Sequence, residues 1–377
     1  MYKKLQKSIW YFQFVIRFFF LKFRFIFHNH SDAKFNDNEN IFFVLGKTQR
    51  YVKILNLLKS NKKNLVILHP DTIHENLIKN KEFFSIIKAK NEYEFFKLFK
   101  KCKKIKHLFV DSGFQAYPYL SEKNNCILHI YDSTIGNKQI SNNKNLCYEK
   151  TSIENSFGVI HRDLRIKKYY KNILKNKLNY LYIDPFTNSS EKKNNFKKVL
   201  VAGWLDKEIF PFKQIIKLCE FGLQVDIFTW KNCEEYLVEE IKYLKTKFSN
   251  NFFVKKPLFG NEYLEILKQY DMGICATSNT MKHYEKNYLE CAGSSRLSDY
   301  ISNGMSVLVP DFAKFNKYVC KKSGVFFLNF SELESSNNIH EMILRFKKNV
   351  SKKNKIYNDE FFSKKFENYL KIIDQKS

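Results

Sequence analysis

Apolar and polar positions along this chain fall into short blocks that switch between the strand period and the helix period. Ile41–Leu45 is a continuous apolar run that predicts a strand, followed by Gly46 and a helix-period stretch through Leu58. Leu65–Leu68 predicts a second strand, closed by His69 and Pro70. Phe83 to Phe99 carries apolar residues at i, i+3 and i+4, and predicts a helix. His107–Val110, Cys126–Ile130 and Phe157–Ile160 predict three more strands. They end at Asp111-Ser112-Gly113, Tyr131-Asp132 and His161-Arg162-Asp163. Strands rich in Ile, Val, Leu and Phe, alternating with helices, imply a parallel sheet covered on both faces.

Ile183 to Phe196 is polar with turn residues throughout, which marks a linker. The alternation then restarts. Lys198–Ala202, Val225–Trp230, Phe252–Val254, Met272–Ala276 and Met305–Pro310 predict strands. Phe212–Phe221, Cys233–Phe248, Asn261–Tyr270 and Ser294–Gly304 predict the helices between them. The expectation is an α/β protein with two Rossmann-like domains, residues 38–185 and 196–350, whose parallel sheets face an interdomain cleft. A C-terminal helix is expected within residues 351–377.

Ahead of the first strand, Ile9 to Phe27 is nearly all apolar but is interrupted by Arg17, Lys22 and Arg24. That is too broken for the ~20 apolar residues a bilayer span needs, and no small-residue cleavage site follows. At helical spacing Lys3, Lys7, Gln13, Arg17 and Arg24 share one half, with Lys4 and Lys22 at its border. Phe12, Ile16, Phe19, Phe23, Ile26 and Phe27 fill the other half. Basic face against aromatic face is the pattern of a helix lying in an anionic membrane interface, here residues 1–32. The alternative is an amphipathic helix covering the first sheet.

Composition narrows the picture further. The 377 residues are 44% hydrophobic and 17% aromatic, enough for a sizeable core, so global disorder is excluded. Only 11 Gly and 6 Pro exclude collagen-like and linker-like chains. Lys+Arg 65 against Asp+Glu 38 gives +27, which favours an anionic partner. The eight cysteines form no C-x-x-C, so neither zinc-knuckle spacing nor a dense disulfide framework is present, and reduced thiols are expected.

In parallel sheets the ligand crevice lies outside the carboxyl ends of the strands. Gly46, His69, Asp111, Asp132, His161 and Arg162 stand just past those ends. Gly46-Lys47-Thr48 lacks the glycine five positions earlier that a phosphate loop requires, so a P-loop NTPase is rejected. In the second half Ser294 and Ser295 are good N-cap residues, and a helix N-terminus attracts phosphate oxygens. Arg296 adds a bidentate cation beside them.

The stretch Asp271 to Pro310 resembles the carboxy-terminal domain of GT-B glycosyltransferases, of the type that builds bacterial cell-surface glycans. The shared pattern is Asp at the start of a short strand, a variable loop, then Arg296-Leu297-x-Asp299-Tyr300 ahead of Gly304-x-x-Val307. The resemblance implies that this helix binds a nucleotide-sugar, with Arg296 at the diphosphate and Asp299 at the ribose. Glu290 (or Glu285) then stands near the donor sugar. Gly203 follows the first strand of this domain, with Lys207 the nearest downstream cation.

The function implied is transfer of a sugar from a nucleotide-sugar to a hydroxyl of a glycan acceptor, lipid-linked where the amino-terminal helix sits on the inner face of the cell membrane. A helix terminus and cations stabilise the departing diphosphate in such an enzyme. No Asp-x-Asp motif is present, so no metal and no other cofactor is expected. An inverting reaction needs a general base. Asp132 is the first candidate, His161 the second and Asp111 the third. Two other classes stay open: an inactive membrane-associated scaffold of the same fold, and a basic nucleic-acid-binding protein. Against the latter, the chain shows no RNP-like strand, zinc finger or basic heptad.

Overall fold

The computed structural model describes residues 9, 12, 13, 16, 19, 20, 35, 39–45, 63–71, 85–102, 105, 107–111, 113–117, 119–120, 125–130, 134–135, 141–162, 164–181, 183, 195–203, 205, 207–258, 260–276, 290–291, 295–349 and 357–376. The chain divides into two compact units. Unit 1 is Met1–Ile183 together with Ser363–Ser377, and unit 2 is Asp184–Phe362.

Unit 1 is built on seven parallel strands: β1 (Glu39–Val44), β2 (Lys63–Leu68), β3 (Ser85–Lys88), β4 (Leu108–Asp111), β5 (Ile127–Ile130), β6 (Gly158–His161) and β7 (Leu178–Leu181). Their order across the sheet is β3-β2-β1-β4-β5-β6-β7. All six residues of β1 are buried, as a central strand covered on both faces requires. Phe43 faces the helix Glu92–Lys101, meeting Phe95 and Phe99 edge-on at 5.2 and 5.3 Å. On the other face Phe42 stacks on Phe109 at 4.5 Å, and Phe109 meets Phe366 of the last helix, Asp359–Lys376.

At the amino ends of the central strands a buried polar chain ties that helix down. Asn40 Nδ2 donates to Asn64 Oδ1 at 2.9 Å, and Asn40 Oδ1 lies 2.9 Å from His107 Nδ1. His107 Nε2 reaches Asp374 Oδ1 at 3.0 Å. Buried polar groups are stable only with such partners.

Two elements of unit 1 differ from the sequence pattern. Ser85–Lys88 falls inside the predicted helix Phe83–Phe99 but pairs with Leu65–Leu68 as an edge strand. Ile86 and Ile87 are stiff at χ1 and favour a strand. The helix starts only at Glu92, because Asn91 Oδ1 accepts from Glu94 N at 2.9 Å and caps it. β7 was not expected at all. It is a half-exposed edge strand without a continuous apolar run, held by Tyr180 against Phe366 and Tyr369 at 5.2 and 5.1 Å.

Unit 2 repeats the plan with β8 (Lys198–Ala202), β9 (Gln224–Phe228), β10 (Phe252–Lys255), β11 (Met272–Ile274), β12 (Ser306–Val309) and β13 (Phe327–Asn329). All are parallel, in the order β10-β9-β8-β11-β12-β13. The expected helix Cys233–Phe248 is two helices, Lys231–Tyr236 and Val238–Lys247, broken at the fully buried Leu237. Asp271 clamps the entry to the sheet. Its Oδ2 accepts from Lys197 N and Lys198 N, each at 2.9 Å, and its carbonyl accepts from Ser306 N at 2.8 Å.

Counted from its own first strand, each sheet opens in the order 3-2-1-4-5-6, the Rossmann order, in which the direction of strand addition reverses between the first and fourth strands. Those switch points lie between β1 and β4 in unit 1, and between β8 and β11 in unit 2. All eight cysteines are free thiols.

Among the described residues no helix is long and apolar enough to cross a membrane. Ile9, Phe12, Gln13, Ile16, Phe19 and Phe20 are helical and exposed. The rest of the predicted amino-terminal helix lies outside the described residues.

Candidate functional site

The switch point of unit 2 gathers several of the residues singled out in the sequence. β8 ends at Ala202, and Gly203 follows with φ +118, a backbone conformation open to glycine and rarely to other residues. Its N–H donates to Phe228 O at 2.9 Å, and its carbonyl accepts from Thr229 Oγ1 at 2.9 Å. Against this residue lies the guanidinium of Arg296. A Cβ built on Gly203 would stand 1.3 Å from Arg296 Nη2, so the two groups fit only because position 203 has no side chain.

Arg296 is placed by the helix Ser295–Ser302. That helix ends in a Schellman arrangement: Gly304 N donates to Ile301 O at 3.0 Å and Met305 N to Tyr300 O at 3.0 Å, with Gly304 at φ +65. Tyr300 packs the helix onto the sheet, its ring lying where a Cβ on Gly273 of β11 would come within 2.5 Å. Burial of such a ring contributes about 1.5–3 kcal/mol. The guanidinium offers five N–H donors in a fixed fork. It makes no hydrogen bond or ion pair with any described residue.

Beside it the helix Gly260–Leu267 brings in Tyr263. Its hydroxyl is buried and finds no hydrogen-bond partner among the described residues. Burial, then the neighbouring Tyr300 and Asp299, hold its phenol well above the ordinary range, while Arg296 pulls it the other way. Burial likewise raises Tyr300, again opposed by Arg296. Gly203, Tyr263, Arg296, Asp299 and Tyr300 thus form one electrostatically linked group. Tyr263 was not expected: one Tyr in an amphipathic helix carries no signal of its own.

The other expected donor-side residues stand apart. Lys207 is exposed in the turn after β8. Glu290 pairs with Lys314 Nζ at 2.8 Å. Ser295 starts the helix, but its side chain and all of Ser294 lie outside the described residues. Among the described residues no group of three or more His, Cys, Asp or Glu side chains is placed to hold a metal ion.

In unit 1, Asp111 ends β4 with its Oδ1 3.2 Å from His129 Nδ1, both side chains buried. The two residues are register partners, so they share a sheet face. The carboxylate therefore orients an imidazole, an arrangement suited to proton transfer through Nε2. Sequence reasoning passed over His129 because it sits inside an apolar run; its one signal is an Asp at the matching position of the neighbouring strand. His161 is the register partner of Ile130, one residue on, and so lies on the opposite face. Its Nε2 meets Asn179 Oδ1 at 2.7 Å, which makes Nε2 the donor and Nδ1 the basic nitrogen of the neutral ring. The structure does not bring Asp111 and His161 together. Asp132 lies outside the described residues.

Two Rossmann sheets in one chain, each with its switch point, match solved structures over most of their length. Sucrose-phosphate synthase from Thermosynechococcus elongatus superposes with a TM-score of 0.59 at 13% identity, over 89% of this chain and 99% of that one. HepE from Anabaena, solved in complex with UDP-glucose, gives 0.54 at 10% identity, over 90% and 97%. This chain has the GT-B fold. A glycosyltransferase from Rickettsia africae gives 0.52 at 12% identity, over 91% of this chain and 100% of that one. No family model and no curated protein matches the sequence. Within the GT-B fold the Gly203–Arg296 contact belongs to the second Rossmann unit, where the sequence pattern put it.

Proposed function

We propose that this protein is a glycosyltransferase that binds a nucleotide-sugar on unit 2 and passes the sugar to a hydroxyl of a glycan acceptor. The observation that carries this reading is the Arg296 guanidinium, laid on the side-chain-free face of Gly203 at the switch point with its donors unspent on described residues. A diphosphate is the planar-fork partner such a group takes, and it carries the charge that develops as the sugar leaves. Asp299 takes the ribose and Glu290 the sugar side. On unit 1 the base is Asp132, His161 or Asp111, the last acting through His129. No metal or cofactor takes part.

The acceptor is lipid-linked and the protein works at the inner face of the cell membrane, in surface polysaccharide synthesis. In support, Phe12, Ile16 and Phe19 are 63%, 39% and 58% exposed, whereas a helix covering a sheet would bury them.

A thermal-shift screen of UDP-, GDP- and CMP-sugars tests the donor site, since a specific ligand stabilises the native state by mass action. One class is expected to raise the melting temperature. Arg296→Ala should weaken that class by about 1.5–3 kcal/mol, the scale of a charge-assisted hydrogen bond. A folded Arg296→Ala protein with unchanged affinity removes Arg296 from the site, and a wild-type protein that responds to none of the three classes removes the reading.

A further inference from the structure

Glu149, in the middle of the helix Asn143–Asn155, is fully buried, and three separate segments of unit 1 converge on its carboxylate. Oε2 accepts from the backbone N–H of Thr134 at 2.9 Å, past the end of β5. Oε1 accepts from the Tyr170 hydroxyl at 3.1 Å, at the end of the helix that follows β6. The third segment is the turn past β4, where a Cβ built on Gly113 would stand 2.8 Å from Oε2. The three nearest atoms to that Cβ all belong to Glu149, and Gly113 has no positive φ. Its backbone therefore tolerates alanine; the carboxylate is the close obstacle. Gly113 lies two residues past Asp111, Thr134 four past Ile130, and the Tyr170 helix follows His161.

We propose that Glu149 is the positioning residue of the acceptor side: its carboxylate fixes the exits of β4, β5 and β6 in one arrangement, and so sets where Asp111 and His161 stand. The tie works by geometry rather than by charge. A glutamine in its place keeps both bonds, with its carbonyl accepting from Thr134 N and its amide donating to the Tyr170 hydroxyl oxygen. The assignment of an acceptor side rests on the function proposed above; the tie between the three exits does not.

The test is a cycle of E149Q, E149A, G113A and E149A/G113A in the full chain. Hydrogen exchange is read at peptides spanning Gly113, Thr134 and Tyr170. E149A and G113A should each raise exchange at all three together by at least tenfold, with E149Q close to wild type. Adding G113A to E149A should change nothing further, because the group it collides with is gone. Exchange that rises evenly over unit 1, additive effects in the double variant, or E149Q as damaging as E149A would each overturn the tie.

Turnover with the nucleotide-sugar that stabilises the wild type supplies the second arm. E149A should lower kcat at least tenfold with the donor KM within twofold, and E149Q should restore kcat. Unchanged kcat in an E149A protein whose three peptides exchange fast overturns the positioning role while leaving the donor site in place. If no nucleotide-sugar is bound or turned over by the wild type, the proposed function fails, and exchange alone decides whether Glu149 ties the exits.

Discussion

The pairing of Gly203 with Arg296 shows how one residue's lack of a side chain can define a site. Any β-carbon at 203 would meet both an unfavourable φ and the guanidinium, so the glycine is fixed by its neighbour as much as by its turn. The donor-side candidates Gly203, Arg296 and Asp299 were legible because charge and turn residues recur at fixed offsets from strand ends. Tyr263 and His129 were not, because each contributes one polar atom to an apolar stretch and only the packing of a second element reveals it. The unpartnered Tyr263 hydroxyl has a measurable cost. Leaving a buried hydroxyl unmet costs about 1–3 kcal/mol. Tyr263→Phe should therefore raise unliganded stability by that amount in urea unfolding. It should also shrink the shift produced by the bound nucleotide-sugar. A loss of stability instead would mean that the hydroxyl is already satisfied.

At the scale of elements, the sheets were readable and their margins were not. Central strands such as β1 and β8 announce themselves as apolar runs, because both of their faces are covered. Edge strands β3 and β7 carry a mixed pattern, which is why one was folded into a helix and the other missed. The end of the helix at Ser302 was visible in Gly304. The start at Glu92 was hidden, since the Asn91 cap lies within an otherwise continuous apolar periodicity. Asp271 does a different task from the sugar-binding residues near it: its carboxylate gathers the start of β8 and its backbone the start of β12. Asp271→Ala leaves two backbone donors without that acceptor and should cost about 1–3 kcal/mol. Asp271→Asn, which keeps an accepting oxygen, should cost less. Equal unfolding midpoints for wild type and Asp271→Ala would show that solvent replaces the clamp.

For the molecule as a whole, the net charge of +27 and the exposed aromatic residues near the amino terminus act together. Each Lys or Arg close to an anionic lipid surface contributes ~1 kcal/mol, screened by salt. Deleting residues 1–32 should release the protein from anionic vesicles in co-sedimentation at physiological salt and leave nucleotide-sugar binding intact. Equal partitioning of the two proteins would assign that segment to the core instead. The last helix carries a separate consequence. Residues 363–376 finish a sheet whose strands all lie before residue 184, with Phe366 on Phe109 and Asp374 on His107. On the ribosome, synthesis is vectorial, and all of unit 2 is translated in between. The first sheet to leave the exit tunnel is thus the last to be completed. Until residue 374 has emerged, Phe109 and Tyr180 present an open aromatic face, and a nascent chain stalled before that point is a natural client for chaperones that hold unfinished sheets.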